Sequence, residues 1–236
     1  MTAVILQARL DSNRLPGKAL LPLGGRPLLF RVMEALKRLP VGLHLLACAE
    51  DCAVPFAPLA EEAGFVLAPG PKDDVLRRYA QAVKKFHVDR LIRATGDNPF
   101  VFIDAAAALH EDARKLGADY AGYSGLPYGA GVEAVDAEAL LRADAEAVLD
   151  SEREHVCPYL YNHPETFLLH RPLVPEPWRA PSIRLTVDVE ADYRRAERLY
   201  EALSQNEPAG YESAGWSGET IIRYARVSNG RSEAAP

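Results

Sequence analysis

Short apolar runs alternate with amphipathic stretches along most of this chain. We interpret the apolar runs as strands, mostly buried and parallel. They cover residues 3–6, 43–49, 65–68, 88–94, 120–124, 132–135, 166–171 and 183–188. Helix-like stretches lie between or after them, over residues 27–39, 50–64, 73–86, 104–116, 138–149, 191–204 and 218–224. This alternation predicts an α/β fold: a Rossmann-like, mixed but mostly parallel sheet with helices on both faces.

Length and loop composition indicate one domain with an inserted region. A chain of 236 residues is long enough for one sizeable α/β domain with its own hydrophobic core. We expect a single domain over residues 1–227 and a disordered tail over residues 228–236. The segment 124–181, which ends in the proline-rich stretch 172–181, is predicted to leave the sheet as an inserted substrate or dimerisation region.

Composition excludes several classes of protein. The chain is 48% hydrophobic and 25% charged, as globular proteins commonly are, and its net charge of -6 argues against nucleic-acid or membrane-surface binding. No apolar run approaches the roughly 20 residues of a membrane span, and the first residues do not resemble a signal peptide. The three cysteines form neither a disulfide framework nor a metal motif. We therefore expect a cytoplasmic protein with reduced thiols.

The loop after the first predicted strand carries three fixed positive charges. Ligands of open α/β sheets bind at such loops, beside the carboxyl ends of the strands. Small residues let backbone N–H groups approach an anion closely, and cations neutralise it. The cations here are Arg9, Arg14 and Lys18, and the small or polar residues are Ser12, Asn13 and Gly17. The loop suits a polyphosphate, with a solvated basic loop as the alternative, and it lacks Walker-type spacing.

Asp97 follows the predicted strand 88–94, at the edge where the sheet is expected to bind ligands. A hard oxygen ligand there suits Mg2+, which usually takes one or two protein carboxylates together with phosphate oxygens. Because Gly96-Asp97-Asn98-Pro99 is also a strong turn signal, Asp97 as the cap of a turn is an equally good interpretation of the residues alone. Asp188, at the end of the run 183–188, is a candidate N-cap of the next helix.

Two further features admit both a functional and a structural interpretation. The glycine-rich segment 125–133 around Tyr128 has the composition of a mobile substrate loop, and it equally fits a structural turn into the strand 132–135. His155 is a candidate proton carrier at neutral pH, although a lone helical histidine is more often a surface or packing residue. The residues alone leave both questions open.

The opening loop resembles a motif of the cytidylyltransferase superfamily. That superfamily includes acylneuraminate and 3-deoxy-manno-octulosonate cytidylyltransferases and the SpsF-like spore coat polysaccharide proteins. Residues 7–20 match Q-A-R-x-x-S-x-R-L-P-G-K-x-L, and Gln7 and Asn13 are most similar to the SpsF-like branch. Residues 93–100 resemble R-x-T-G-D-C-P-L, with Asn98 in place of the cysteine.

Two later segments extend the resemblance, and two positions depart from it. Residues 153–159 resemble R-E-H-V-T-P-Y, and residues 184–192 resemble R-L-T-V-D-T-P-E-D, with Val-Glu in place of Thr-Pro. Arg77 replaces an acid in a segment that resembles D-D-V-L-D-R-Y, and Gly131 replaces the acid of P-x-G-x-D-V-E, whose glutamate is retained as Glu133. These departures concern the region where the acceptor is expected.

The resemblance implies a nucleotidyltransferase that transfers CMP from CTP to a sugar or acidic sugar, releases pyrophosphate, and acts in the synthesis of surface-glycan precursors. It also implies a fold of the nucleotide-diphospho-sugar transferase type, Mg2+ as cofactor and a homodimer. The implied catalytic residues are Arg9, Arg14, Lys18 and Asp97. The implied nucleotide-binding residues are Gln7, Ala8, Arg9, Ser12, Arg14, Lys18, Arg93, Thr95 and Asp97. The implied metal ligands are Asp97 and Asp188, and the implied acceptor-binding residues are Tyr128, Glu133, Arg153 and His155.

Two other classes of function are the alternatives. A glycosyltransferase of the GT-A type, on the same kind of sheet, would need a D-x-D metal motif, whereas Gly96-Asp97-Asn98 supplies one acid. A non-catalytic homologue would bind a nucleotide and regulate a partner, and Arg77 and Gly131 leave room for a changed acceptor. Retention of Lys18 and Asp188 together with Asp97 argues against the loss of catalysis.

Overall fold

The computed structural model describes residues 1–207 and 215–230, except the side chains of residues 228–230. Its strands are β1 (Thr2–Ala8), β2 (Pro22–Leu23), β3 (Arg26–Pro27), β4 (Leu43–Ala49), β5 (Val66–Gly70), β6 (Arg90–Thr95), β7 (Tyr120–Gly122), β8 (Glu133–Asp136) and β9 (Leu169–His170). Its helices are α1 (Leu28–Leu36), α2 (Ala53–Glu62), α3 (Val75–Phe86), α4 (Ile103–Leu116), α5 (Ala137–Glu146), α6 (Asp150–His155), α7 (Pro158–Asn162), α8 (Glu190–Asn206) and α9 (Gly218–Gly230).

Strand β1 lies inside a sheet of seven strands, whose order within the described ranges is β5-β4-β1-β6-β8-β7-β9. It pairs in parallel with β4 and β6, so Ile5 lies between Leu45 and Arg93. Strands β4 and β5 are parallel, as are β7 and β9, whereas β8 runs antiparallel to both of its neighbours. The prediction of a mixed, mostly parallel α/β sheet is confirmed.

The side chains of β1 alternate between two apolar layers. Val4 and Leu6 pack in a layer with residues of α1, α2, α4, α8 and α9. Ala3 and Ile5 pack in a second layer with residues of α3, α5 and α7. All four side chains are fully buried, as expected for a parallel strand with helices on both faces. The packing of β1 on both faces therefore anchors the start of the loop that follows it.

A short hairpin, formed by β2 and β3, separates this loop from α1. The hydrophobic pattern of the sequence does not predict it. Its two turn residues, Gly24 and Gly25, have φ values of +58° and +77°. Positive φ at both central residues is typical of the tight turn of a two-residue hairpin. The Gly24-Gly25 pair is the sequence feature that could have predicted this turn.

The predicted strand over residues 183–188 is wrong. The segment is extended, but only Arg184 forms a bridge, to Tyr128, and it joins no strand of the sheet. The N–H groups of Leu185 and Val187 donate instead to the carbonyls of Tyr128 and Asp97, at 2.8 and 2.9 Å. The alternating apolar side chains are buried in the core, so the strand-like pattern reflects burial without sheet pairing.

The expectation that the chain leaves the sheet between residues 124 and 181 is wrong in part. Strand β8 lies in this region and pairs with β6 in the middle of the sheet. Helix α5 follows it and packs in the same apolar layer as α3. The proline-rich stretch 172–181 does run outside the sheet, with one short 3-10 turn at Glu176–Trp178.

Helix α9 extends beyond the predicted helix 218–224 and reaches Gly230. The predicted disorder from residue 228 onward is therefore wrong for residues 228–230, and the rest of that tail, 231–236, lies outside the described residues. No helix in the described ranges is both long enough and apolar enough to cross a membrane.

Candidate active site

The loop between β1 and the hairpin folds back on its own backbone. The carbonyl of Leu10 accepts the N–H groups of Ser12 and Gly17, at 3.0 and 3.2 Å, and the Ser12 hydroxyl accepts the N–H of Leu15 at 3.3 Å. Gly17 has φ +68°, a left-handed conformation that glycine adopts without steric cost. This turn starts the short 3-10 helix of Lys18.

Lys18 contacts two aspartates that are far apart in the sequence: Asp97, which follows β6, and Asp188, which precedes α8. Its Nζ lies 3.1 Å from Oδ2 of Asp97 and 3.2 Å from Oδ1 of Asp188, and it donates to the carbonyl of Val187 at 2.7 Å. Only 12% of the Lys18 side chain is exposed. The structure thus brings together three of the residues that the sequence analysis selected, and we call Lys18, Asp97 and Asp188 the charge cluster.

Asp97 is positioned by the end of β6. Thr95 donates from its hydroxyl to Oδ1 of Asp97 at 2.7 Å and accepts from the Asn98 amide at 2.8 Å. Gly96 donates its N–H to the carbonyl of Gln7 at 2.8 Å, and a Cβ at this position would lie only 3.1 Å from that oxygen. The absence of a side chain at Gly96 therefore lets β6 end close against β1.

The Asp188 carboxylate forms ion pairs with three cationic side chains. In addition to Lys18, Nη2 of Arg14 lies 2.9 Å from Oδ1, and Nη2 of Arg184 lies 2.6 Å from Oδ2. The interpretation of Asp188 as an N-cap is wrong, because α8 begins at Glu190, two residues after Asp188, and its N-cap is Val189. The carboxylate of Asp188 therefore faces the cations instead of the helix N-terminus.

The opposite side of the loop is held by Lys72. Its Nζ lies 2.9 Å from Asp11 and 3.2 Å from Asp51, and hydrogen bonds to these two carboxylates raise the pKa of Lys72 to about 12. The loop is thus tied to its neighbours through Asp11 at one side and through Arg14 at the other. Arg9 is exposed, and its side chain has no hydrogen bond or ion pair with any described residue.

Gln7, Arg93 and Glu133 form a second polar group beside the charge cluster. Nη2 and Nε of Arg93 donate to the Gln7 side-chain oxygen, at 2.9 and 3.2 Å, and its Nη1 pairs with Glu133. Tyr120 donates from its hydroxyl to Oε1 of Glu133 at 2.8 Å. Burial and the nearby Glu133 raise the pKa of Tyr120, which keeps that hydroxyl protonated.

The other predicted site residues differ in burial and in the residues that they contact. Ala8 and Ser12 are buried under the loop, and Tyr128 is 61% exposed, with the Arg184 guanidinium 4.9 Å from its ring centre. Arg153 donates to Asp74, to Asp144 and to the Ala147 carbonyl. This packing role gives no support to acceptor binding by Arg153.

His155 is exposed at the end of α6, and its predicted role in acceptor binding stays a prediction. The structure also shows what surrounds the two residues that depart from the family pattern, Arg77 and Gly131. Arg77 lies 3.1 Å from Asp144, so this replacement of an acid forms an ion pair. A Cβ at Gly131 would lie 3.1 Å from Cδ1 of Leu126, so a larger residue there requires the leucine to move.

Arg184 and Asp192 are two residues of the site that the sequence pattern did not single out. Arg184 contacts Asp188, and Asp192 contacts Arg184 and the backbone N–H of Asp188. The signal was present, because these two are the first and last residues of the segment that resembles R-L-T-V-D-T-P-E-D. A local pattern could not show their role, because that role depends on their contacts with Asp188 and with each other in the folded chain.

The donor set of the charge cluster fits a magnesium ion. Asp97 and Asp188 each direct a carboxylate oxygen to the same ammonium group, so a cation already occupies the space where they converge. Two carboxylates with room for phosphate oxygens is the usual protein contribution to a Mg2+ site. The described ranges hold no group of three or more His, Cys, Asp or Glu residues suited to a metal.

Comparison with known proteins places the chain in a family. The family model described as Cytidylyltransferase matches residues 3–220. The chain is 34% identical over 207 residues to the spore coat polysaccharide biosynthesis protein SpsF of Bacillus subtilis (strain 168), over 84% of this chain and 85% of that protein.

Two solved structures share the fold. A cytidylyltransferase from Leptospira borgpetersenii serovar Hardjo-bovis (strain JB197) has a TM-score of 0.82 at 23% identity, over 98% of this chain and 95% of that chain. A CMP:2-keto-3-deoxy-manno-octonic acid synthetase complexed with CTP has a TM-score of 0.66 at 16% identity, over 86% and 98% of the two chains. Since the family model spans nearly the whole sequence, the chain belongs to the cytidylyltransferase family.

Proposed function

We propose that the protein transfers CMP from CTP to a hydroxyl group of a sugar or acidic sugar and releases pyrophosphate. The observation that carries the proposal is the convergence of Lys18 on Asp97 and Asp188 beside the loop that holds Arg9 and Arg14. CTP as the donor is supported by the family and by the CTP complex of one structural neighbour. A role in polysaccharide precursor synthesis is supported by the name of SpsF.

The cations would act on the triphosphate. In the reaction the acceptor oxygen attacks the α-phosphorus, the bond to the β-phosphate oxygen breaks, and the acceptor proton passes to water. Negative charge grows on the leaving pyrophosphate, and fixed cations stabilise it. Arg9 is exposed for this role, whereas Lys18 and Arg14 now neutralise Asp188 and would exchange that carboxylate for phosphate oxygens.

We further propose that Asp97 and Asp188 hold Mg2+. When bound there, the ion would neutralise phosphate charge and orient the α-phosphate for in-line attack. The chain keeps both carboxylates at the same place through Thr95 on one side and Arg184 on the other. This arrangement requires little movement of the aspartates when the nucleotide binds.

The acceptor would bind beside Gln7 and Glu133. Arg93 fixes both side chains. Because Arg93 donates twice to the Gln7 side-chain oxygen, the Gln7 amide would act as a donor and the Glu133 carboxylate as an acceptor for sugar hydroxyls. Tyr128 exposes its ring at the rim, where an apolar sugar face can pack. A hydrogen-bond donor, a carboxylate acceptor and an aromatic surface together supply the chemistry that carbohydrate recognition requires.

We also propose that the protein is a homodimer, as the family resemblance implies. Leu168 and Leu173, both in the region 124–181, are 55% and 58% exposed and would be covered by a partner subunit. Light scattering after size exclusion should give about twice the chain mass of 25.9 kDa. A monomeric mass at micromolar concentration would contradict this assembly.

The decisive experiment measures product identity. The protein is incubated with Mg2+, each of the four nucleoside triphosphates and a panel of neutral and acidic sugars. We expect pyrophosphate and a CMP-sugar only with CTP, and no product from the Lys18→Ala variant. Nucleoside diphosphate released from a nucleotide sugar would instead indicate a glycosyltransferase. Binding of CTP without pyrophosphate from any acceptor would favour a non-catalytic role.

A further inference from the structure

Asp192 is a buried carboxylate directly behind Asp188. It is only 5% exposed and occupies the third position of α8. Its Oδ2 accepts the backbone N–H groups of Asp188 and Val189, at 3.1 and 3.3 Å. Because a carboxylate at this position satisfies N–H groups that the helix leaves free, Asp192 fixes the backbone turn that carries Asp188.

A guanidinium group joins the two carboxylates directly. Arg184 donates from Nε to Oδ1 of Asp192 at 3.1 Å and from Nη2 to Oδ2 of Asp192 at 3.3 Å. The same Nη2 donates to Oδ2 of Asp188 at 2.6 Å. Arg195 also pairs with Asp192. Oδ2 of Asp188 is therefore held from behind, and Oδ1 is left to face Lys18 and Arg14.

The charges explain why Asp192 matters for this orientation. Arg184 is shared between two carboxylates, so neither of them alone determines its position. Without the charge of Asp192, Arg184 would have Asp188 as its single anionic partner, and the stronger pairing would compete with the binding of a cation at that carboxylate. The backbone N–H of Asp188 would also lose its acceptor. Both effects would make the orientation of the Asp188 carboxylate less well defined.

We propose that Asp192, acting through Arg184 and the Asp188 backbone, is a positioning residue that orients Asp188 toward a divalent cation. This inference rests on the proposed function, because it takes Asp188 as a cation ligand. Groups that orient the ligands of a metal typically change metal affinity or activity by about 10- to 100-fold when they are removed. Asp192 contacts Arg184, Arg195 and the backbone N–H groups of Asp188 and Val189, so its proposed role is indirect.

The test uses Mn2+ as the probe and needs no turnover. Binding of Mn2+ to the protein with CTP, and without an acceptor, is measured by electron paramagnetic resonance of the free ion. We expect Asp192→Asn to weaken Mn2+ binding about 10- to 100-fold. Arg184→Gln retains the contacts of Asp192 with the backbone N–H groups of Asp188 and Val189, so it should fold, and it should weaken Mn2+ binding about tenfold.

Asp144→Asn is the matched control. Asp144 is as buried as Asp192, at 4% exposure, and pairs with Arg77 and Arg153 at 3.1 and 2.9 Å. Its loss should lower the melting temperature as the loss of Asp192 does, while Mn2+ binding stays within twofold of the wild-type value. In activity assays, excess Mg2+ should partly restore kcat for Asp192→Asn and not for Asp97→Asn.

The outcomes separate this inference from the proposed function. Wild-type Mn2+ affinity in both Asp192→Asn and Arg184→Gln would overturn the positioning role while the proposed reaction stands. Equal weakening in Asp144→Asn would also overturn it, because the effect would then follow general destabilisation. If the wild-type protein binds no Mn2+ with CTP, and releases no pyrophosphate when any acceptor of the sugar panel is added, both proposals fail.

Discussion

Lys18 and Asp188 are 170 positions apart in the chain, yet Nζ of the lysine lies 3.2 Å from Oδ1 of the aspartate. Their side chains are only 12% and 13% exposed, so water screens their attraction weakly. The contact closes the loop after β1 onto the segment before α8. In the proposed function, the lysine would bind the triphosphate and the aspartate would bind a cation.

Replacing Lys18 with alanine should lower the rate of pyrophosphate release from CTP at least about a hundredfold, the scale observed when a preorganised charge is lost. The variant also leaves Asp97 and Asp188 without their shared cation, which adds their mutual repulsion. Lys84→Ala, on the exposed surface of α3, is the control for the loss of a lysine. A rate near that of the wild type would remove Lys18 from the mechanism.

Asp97→Asn should also lower the rate at least about a hundredfold, for a different reason. The amide keeps the size of the side chain and can still accept from Thr95, but it removes one of the two carboxylates proposed to hold Mg2+. The rate measured across Mg2+ concentrations should stay low at saturation. Full recovery of the rate in excess Mg2+ would contradict a direct role of Asp97.

Gly96→Ala should reduce both stability and activity. The new methyl group would lie 3.0 Å from Cβ of Ala8 and from Cδ1 of Leu29, so β6 must move away from β1. Overpacking of this kind typically costs about 1 to 3 kcal/mol, which urea denaturation measures. Gly42→Ala is the control, because its nearest neighbour would be the Thr2 carbonyl at 4.0 Å. Equal stability of the two variants would contradict the close approach.

Stability should fall as the pH decreases from about 7.5 to 5.5. Burial and then the nearby Lys37 lower the pKa of His44, whose Nε2 lies 3.2 Å from the Leu36 carbonyl. The unfolded chain, with an ordinary pKa of about 6.5, therefore binds the proton more readily than the folded state. The contribution of neutral His44 is complete above that value and is lost as the pH falls through it.

His44→Gln should reduce this pH dependence, as measured by urea denaturation at each pH, and the part that remains should follow His110, whose pKa is also lowered by burial. His155→Gln, which removes an exposed imidazole, should keep the slope of the wild type. If His44→Gln retains the full slope, then the proton taken up on unfolding belongs to another group.

Local sequence was sufficient for most of the secondary structure. The run 43–49 coincides with β4 (Leu43–Ala49), and the run 3–6 lies inside β1, because fully buried parallel strands are continuously apolar. The loop with Arg9, Arg14 and Lys18 was also recognisable, since its residue types and its place after a strand are local features. The motif resemblance added the family.

Tertiary contacts decided the rest. The segment 183–188 looks like a strand because its alternate side chains are buried, but its N–H groups are taken by Tyr128 and Asp97, and pairing partners are not written in a local pattern. For the same reason, burial and charge compensation at Asp192 emerge only when Arg184 and Arg195 pack against it. The chain itself determined which residue types were available; folding determined which oxygens and nitrogens lie within 3 to 4 Å of each other, because electrostatic and hydrogen-bond energies depend on distance in space and not on separation in sequence.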